Sequence, residues 1–346
     1  MNLNIISQKL NELLSTIGLT RKQGFYGVLS AAVIIFGFVF YIALFTAPQS
    51  NTGVEIFSVD ADLSSKGNVA QSLEHKGFIK SSLGFQIAFA LRGNKDIQSG
   101  AYQISNSMNV WEIAKILNGE PTLRWVTIPE GLRKEEIADI LAEVLEWSDE
   151  DKHRWITTYT AMEYDYVEGV YFPDTYLIPI NETPLQVADR LRAHFEEKFA
   201  PYAQEALKQN IKWDTALKLA SIVQREAAGK EDLPIVAGVL WNRLLQGMRL
   251  EVDATVQYAR GKTSEGWWAP IKPADKQIVS AYNTYLNKGL PPHPISNPGT
   301  DAISAVLNPT ETKCLYYLHE ESGTIHCAET YEQHLENIDK YLRHII

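Results

Sequence analysis

The chain has 346 residues, 45% of them hydrophobic, with eight tryptophans, which excludes a disordered polymer and leaves room for more than one core. A formal net charge of −10 and a pI near 5.4, with no compensating basic stretch, exclude the electrostatic footprint of a nucleic-acid-binding protein.

The first element is apolar. From Phe25 to Phe45 the sequence FYGVLSAAVIIFGFVFYIALF carries no charge. As a helix rising about 1.5 Å per residue it spans roughly 30 Å, the thickness of a bilayer core. Arg21 and Lys22 precede it and the next charge is Glu55, so the positive-inside rule places the N-terminus in the cytoplasm and the remainder outside. The rival, a cleaved signal peptide, has a shorter apolar region and a small-residue cleavage site, neither of which is present.

Alternating strand-like and helix-like segments follow. YQISNSMNVWEIAKIL (102–117) aligns with VTIPEGLRKEEIADIL (126–141) at an offset of 24 residues, pairing Ile104, Glu112, Ile113, Ala114 and Leu117 with Ile128, Glu136, Ile137, Ala138 and Leu141. Each copy predicts a short strand, a turn and an amphipathic helix. With a strand near 54–60 and a helix near 67–76, the arrangement resembles a LysM-type module, the small βααβ unit that binds N-acetylglucosamine-containing glycans. A plain scaffold is the alternative.

From about 150 to 212 a mainly helical stretch is expected, broken by YVEGVYFPDTYLIP (166–179). There Tyr166, Tyr171, Phe172 and Tyr176 surround Glu168 and Asp174, the composition of a sugar groove or of an aromatic core under a loop. Next comes LKLASIVQREAAG (217–229), a predicted helix with Asp214 as N-cap and Gly229 just beyond its end. Leu219, Ile222 and Val223 form its apolar stripe, and Glu226 falls in that stripe at the i+7 position. Burial and the negative end of a helix both favour the protonated carboxyl, as a general acid requires. The alternative is a solvent-reaching edge residue paired with an arginine such as Arg243. The segments after it supply Asn242, Arg243, Asp253, Thr255 and Tyr258, then Tyr282, Asn283, Thr284 and Tyr285 ahead of a stiff Pro/Gly-rich loop. Finally, Cys314 and Cys327 flank LYYLHEESGTIH, a predicted strand–turn–strand with its turn at 321–323, so a disulfide is open to them in an oxidising compartment. His319 and His326 lie between them, in a spacing that matches no common zinc pattern. No metal or other cofactor is expected.

Four stretches in order, EGVYFPDTY, ASIVQREA, WNRLLQGMRLEVDATVQY and AYNTYLNKGLPPHPISNPG, closely resemble the MltG (YceG-like) endolytic lytic transglycosylases of bacteria. The resemblance implies an α+β chain: a cytoplasmic tail (1–23), a transmembrane anchor (24–46), a LysM-like module (47–122) and a mixed α+β catalytic domain (123–346). It implies cleavage of MurNAc–GlcNAc bonds in nascent peptidoglycan at the outer face of the cytoplasmic membrane, ending strands as 1,6-anhydroMurNAc and terminating glycan polymerisation. Penicillin-binding synthases and elongation or division proteins would be its partners.

In the family's ASIVEKEA-like motif the first Glu is Gln224 here, so the catalytic role falls to Glu226. His293 replaces a family glycine and offers a second proton carrier near the groove. The tyrosines and Asn283 would orient substrate, whereas a hydrolase would draw a second carboxylate from Glu168, Asp174 or Asp253. A non-catalytic glycan-binding scaffold for cell-wall synthases is the competing function. No G-x-S-x-G or H-E-x-x-H occurs to support a serine or metal hydrolase.

Overall fold

The computed structural model describes residues 21–60, 65–93, 95–161 and 167–342; the expected cytoplasmic tail up to residue 20, and Tyr166, lie outside them. The chain divides into two compact units, Met1–Arg124 and Trp125–Ile346.

The first unit opens with α1 (Arg21–Phe45), of which Tyr26–Phe45 is long and apolar enough to cross a membrane. After it come β1 (Glu55–Val59), α2 (Lys66–His75), α3 (Ser82–Leu91), β2 (Gly100–Ile104) and α4 (Val110–Leu117). β1 and β2 pair antiparallel from Glu55↔Ile104 to Val59↔Gly100, and β2 meets the start of β3 (Leu123–Thr127) at Ala101↔Leu123. Side chains alternate across the strands, so Phe57, Val59, Tyr102 and Ile104 reach a core completed by Leu73, Phe85, Phe89, Ile113 and Leu117 of the helices.

The internal repeat is real at the level of elements, but its copies fall in different units. β2 and α4 make one; β3 and α5 (Lys134–Leu145) make the other. Both helices begin with the same device at aligned positions. Glu112 accepts the N–H of Asn109 at 2.8 Å and Glu136 that of Arg133 at 3.2 Å. The β-α-α-β order therefore lies at 55–104, ahead of most of the repeat that drew attention to it.

The second unit continues with α6 (Asp149–Arg154), a π-helical turn at Trp155–Tyr159, β4 (Thr175–Pro179), α7 (Pro184–Lys208) and α8 (Trp213–Glu226). Then come α9 (Leu233–Leu245), α10 (Asp253–Arg260), α11 (Thr300–Leu307), the hairpin β5 (Tyr316–His319) and β6 (Ile325–Ala328), and α12 (Tyr331–Tyr341). α8 is the central helix, packed against α7, α9, α10 and α11, with every residue from Leu219 to Val223 buried. The Pro/Gly-rich loop is pinned to it: Ser221 Oγ accepts the Ile295 N–H at 3.0 Å, and Ser296 Oγ donates to the Ser221 carbonyl at 3.0 Å.

Two details of α8 differ from expectation. Lys212, not Asp214, holds the N-cap position, and Asp214 sits in the first turn, bonded to Lys218 Nζ at 3.1 Å. The helix ends at Glu226 because Ala227 is already extended (φ −72°, ψ 138°), so Gly229 plays no capping part in it. The Cys314–Cys327 disulfide is formed, with the Cα atoms 5.8 Å apart, and it closes the β5–β6 hairpin.

Candidate active site

Glu226 is the last residue of α8 and stands half-buried at a cavity of about 530 Å³. Three later elements bring groups to it. The β5 hairpin brings Tyr317, whose hydroxyl donates to Glu226 Oε2 at 2.7 Å. The start of α10 brings the Ala254 backbone N–H, a second donor, and beside it the Asp253 carboxylate. Tyr285, from the loop before the Pro/Gly-rich segment, donates to Asp253 Oδ1 at 2.6 Å.

Burial holds the Glu226 carboxyl above the usual carboxylate range, and Asp253 adds to this by repulsion. Tyr317, the Ala254 N–H and the Arg225 guanidinium pull the other way. The result is a carboxyl poised to carry a proton yet furnished with donors for its ionised form. Tyr317 itself is held strongly in its neutral, donating state by burial and by Glu226.

Of the residues selected from sequence, Arg243, Asp253 and Tyr285 share this cavity with Glu226. Arg243 does not pair with Glu226. Its guanidinium donates to the Leu250 carbonyl at 2.7 Å and lies over the Tyr316 ring at 4.9 Å, fixing the wall. Asn242 braces the lead into β5 by donating to the carbonyls of Thr312 (2.7 Å) and Cys314 (3.1 Å). Thr255 and Thr284 are buried and bond each other at 2.8 Å. Asn283 is also buried, its amide donating to the Lys276 and Ile278 carbonyls, so it shapes the loop that presents Tyr285.

A second cluster forms away from that cavity. Glu168 is 0% exposed and accepts from the Lys134 N–H (3.0 Å), Asn297 Nδ2 (2.7 Å) and the Tyr258 hydroxyl (3.4 Å). Burial pushes its carboxyl up to about 8. Tyr282 packs on Tyr258 with ring centres 4.8 Å apart, and Arg133 lies between Tyr258 and Trp267. The next residue, Gly169, has φ +86° and a Cβ there would come within 2.7 Å of Pro294, so both backbone and space require glycine.

Tyr171 and Phe172 are core residues; the Tyr171 ring meets Trp155 at 5.2 Å and Phe172 meets His194 at 5.5 Å. Asp174 bonds His194 Nε2 at 2.8 Å, which holds its carboxyl below the usual range. His293 lines a separate small cavity with Trp213 and Lys218, so it supplies no proton carrier at Glu226. Gln224, in place of the family's first Glu, accepts the Gly299 N–H at 3.0 Å at the start of α11.

Tyr316, Tyr317, Glu251, Lys276 and His334 also line the Glu226 cavity, though none stood out in the sequence as a site residue. The signal for Tyr316, Tyr317 and His334 was the density of Tyr and His around the disulfide-flanked hairpin; Glu251 and Lys276 carried none. Among the described residues no group of His, Cys, Asp or Glu is arranged to hold a metal.

The YceG-like family pattern matches residues 58–340. An endolytic murein transglycosylase of Bacillus subtilis (strain 168) is 29% identical over 303 residues, 81% of this chain and 82% of that protein. One of Streptococcus pneumoniae serotype 2 (strain D39 / NCTC 7466) is 28% identical over 308 residues, 79% of this chain but only 56% of the pneumococcal protein's length. The crystal structure of a YceG-like protein from Listeria monocytogenes superposes with a TM-score of 0.57 at 26% identity, covering 83% of this chain and 99% of that one. The family's pattern extends from β1 to the last helix, and the chain belongs to the YceG-like family.

Proposed function

We propose that this chain is a membrane-anchored lytic transglycosylase that cuts peptidoglycan glycan strands, with Glu226 as its acid and base. The observation that carries this is the Glu226 carboxyl at an open cavity, raised above its usual range and hydrogen-bonded by Tyr317. The names of the bacillar and pneumococcal relatives support the substrate class.

Protonated Glu226 donates its proton to the oxygen linking MurNAc C1 to GlcNAc, and the C1–O bond breaks with oxocarbenium character. The carboxylate left behind, stabilised by Tyr317 and the Ala254 N–H, then takes the proton from the muramic acid C6 hydroxyl. That oxygen bonds to C1 and closes the 1,6-anhydro ring, restoring protonated Glu226. One carboxyl serves both steps. A hydrolase would need a second carboxylate, and the cavity offers Asp253 and Glu251 for that role; Glu168 and Asp174 are engaged elsewhere.

In this proposal α1 is a single span with its N-terminus inside, and the second unit works on the outer face of the cytoplasmic membrane. The β-α-α-β order of residues 55–104 favours the LysM-like reading of the first unit. Anchoring would bring nascent strands to the enzyme first, as a terminator of polymerisation requires, with penicillin-binding synthases and elongation or division proteins as neighbours.

The test is mass spectrometry of glycan strands digested by the full chain in detergent, beside Glu226→Gln. Ends carrying 1,6-anhydroMurNAc, lost in the variant, are expected. Reducing ends with water-derived oxygen would replace the transglycosylase with a hydrolase, and strands bound but uncut by the folded wild type would leave a scaffold.

A further inference from the structure

In the first unit, α3 reads SLGFQIAFAL and is apolar on nearly every side, a composition suited to a core or to contact with lipid. One face is in the core through Gly84, Phe85, Ala88 and Phe89. The opposite face carries Leu83, Ile87 and Leu91, which are 54%, 37% and 73% exposed. At i, i+4 and i+8 they form one stripe along the helix. Ala90 extends it, and Gln86 is the one polar side chain on that face. A contiguous exposed aliphatic stripe of this kind marks a surface that something covers.

What covers it is indicated by how α3 is tied to α1. A Cβ at Gly84 would stand 2.2 Å from the Leu44 carbonyl oxygen, so the end of α1 rests directly on the α3 backbone. Phe45 stacks on Trp111 with ring centres 5.2 Å apart, and Lys80 Nζ donates to Thr46 Oγ1 at 2.8 Å. The exposed apolar side chains of α1 continue as far as Ile42, one turn or less from these contacts. Where α1 leaves a bilayer, α3 is therefore held at the lipid–water boundary, with three aliphatic side chains free to enter it.

We propose that Leu83, Ile87 and Leu91 insert into the outer interfacial layer of the membrane that α1 crosses, so that the first unit is seated on the lipid instead of swinging on a tether. This rests on α1 being a membrane span. An interfacial helix binds in proportion to the apolar area it buries, and here the anchor removes most of the entropic cost of bringing it to the surface.

The full chain has two cysteines, both in the disulfide, so an introduced cysteine is a unique thiol. Ile87→Cys, Leu91→Cys and, within α1, Ile35→Cys would each be labelled with an environment-sensitive fluorophore and reconstituted in phosphatidylcholine–phosphatidylglycerol vesicles. All three side chains are exposed, so folding should tolerate the label. Lipids carrying a spin label near the headgroup or deep in the chains then report depth.

We expect Ile87 and Leu91 labels quenched severalfold, most by the shallow spin label, and the Ile35 label most by the deep one. Quenching at Ile35 alone would overturn the proposal and leave the span intact. Blue-shifted but unquenched labels at Ile87 and Leu91 would mean a protein surface covers the stripe, which overturns it equally. No quenching at any position would remove the span, and the proposal with it.

Discussion

Two glutamates in the second unit have nearly the same hydrogen-bond partners and opposite prospects. Glu226 and Glu168 each accept a backbone N–H from the first turn of a helix, each accept from a tyrosine hydroxyl, and each is held protonated to higher pH by burial. Glu168, however, is sealed. Its oxygens are engaged by Lys134, Asn297 and Tyr258, and no solvent reaches it. Glu226 keeps a face on a cavity of about 530 Å³. A raised pKa marks both positions, so perturbation alone does not distinguish a working acid from a structural one; access does.

The largest effect that separates them is on turnover. Glu226→Gln should lower strand cleavage by at least about 10³-fold, within the usual range for losing a general acid–base, and leave the melting temperature nearly unchanged. Glu168→Ala should do the reverse. It leaves the Lys134 N–H and one N–H of the Asn297 amide without a partner inside the fold, the other amide hydrogen staying on the Leu132 carbonyl, at a cost of about 3 kcal/mol. Denaturant unfolding followed by circular dichroism measures that loss. If Glu168→Ala unfolded no more easily than the wild type but stopped cleavage, the roles assigned here would be exchanged.

The same pair differs in pH behaviour. Glu168 has a folded-state pKa of about 8, above its unfolded value near 4.5, so the folded state holds the extra proton between those limits. Its contribution to stability is full below about 4.5 and is lost as pH rises through about 8. Glu168→Gln should flatten the decline in unfolding free energy between those pH values, measured by urea titration at several pH values. An unchanged slope would mean that the decline comes from another group.

What could be read from sequence follows from distance along the chain. Glu226 was legible because the anomaly is local: its stripe lies within two helical turns. Asn297 was not, because its bond to Glu168 spans 129 residues, nor was Tyr317, which reaches Glu226 across 91. Composition left two readings open. Tyr171, Phe172 and Glu168 have the chemistry of a sugar groove, yet a groove and a core draw on the same aromatic residues, and only packing shows that these face inward. The end of α8 was misjudged by following Gly229, when the turn out of the helix is made by an extended Ala227.

The hairpin that delivers Tyr317 is closed by the Cys314–Cys327 bond, which encloses a segment whose ends are 13 residues apart. Chain-entropy reasoning assigns such a loop about 3 kcal/mol, so Cys314→Ser with Cys327→Ser should lower stability by up to that amount. Cleavage should fall as well, since Tyr317 sits opposite Cys327 in the β5–β6 register. Unfolding and turnover measured on the same preparation check both; full activity in a destabilised double variant would show that the strand pairing alone keeps Tyr317 in place.

The smallest expected change is the most informative about Glu226. Tyr317→Phe keeps the ring in its place and removes one donor to the carboxylate. A hydrogen bond to a charged group contributes about 1.5 kcal/mol, so cleavage should slow by about tenfold, because the carboxylate formed after proton donation is less stabilised. The pH profile carries a sign that simple loss of structure would not produce. Tyr317 lowers the Glu226 pKa, and its removal lets burial and Asp253 raise that pKa further. In the proposed mechanism activity depends on protonated Glu226 and is lost as pH rises through its pKa, so the alkaline limb of kcat/KM should move to higher pH in the variant. A limb that stayed in place, or moved down, would show that Tyr317 does not hold the carboxylate, and its stabilisation would then rest on the Ala254 N–H and the Arg225 guanidinium.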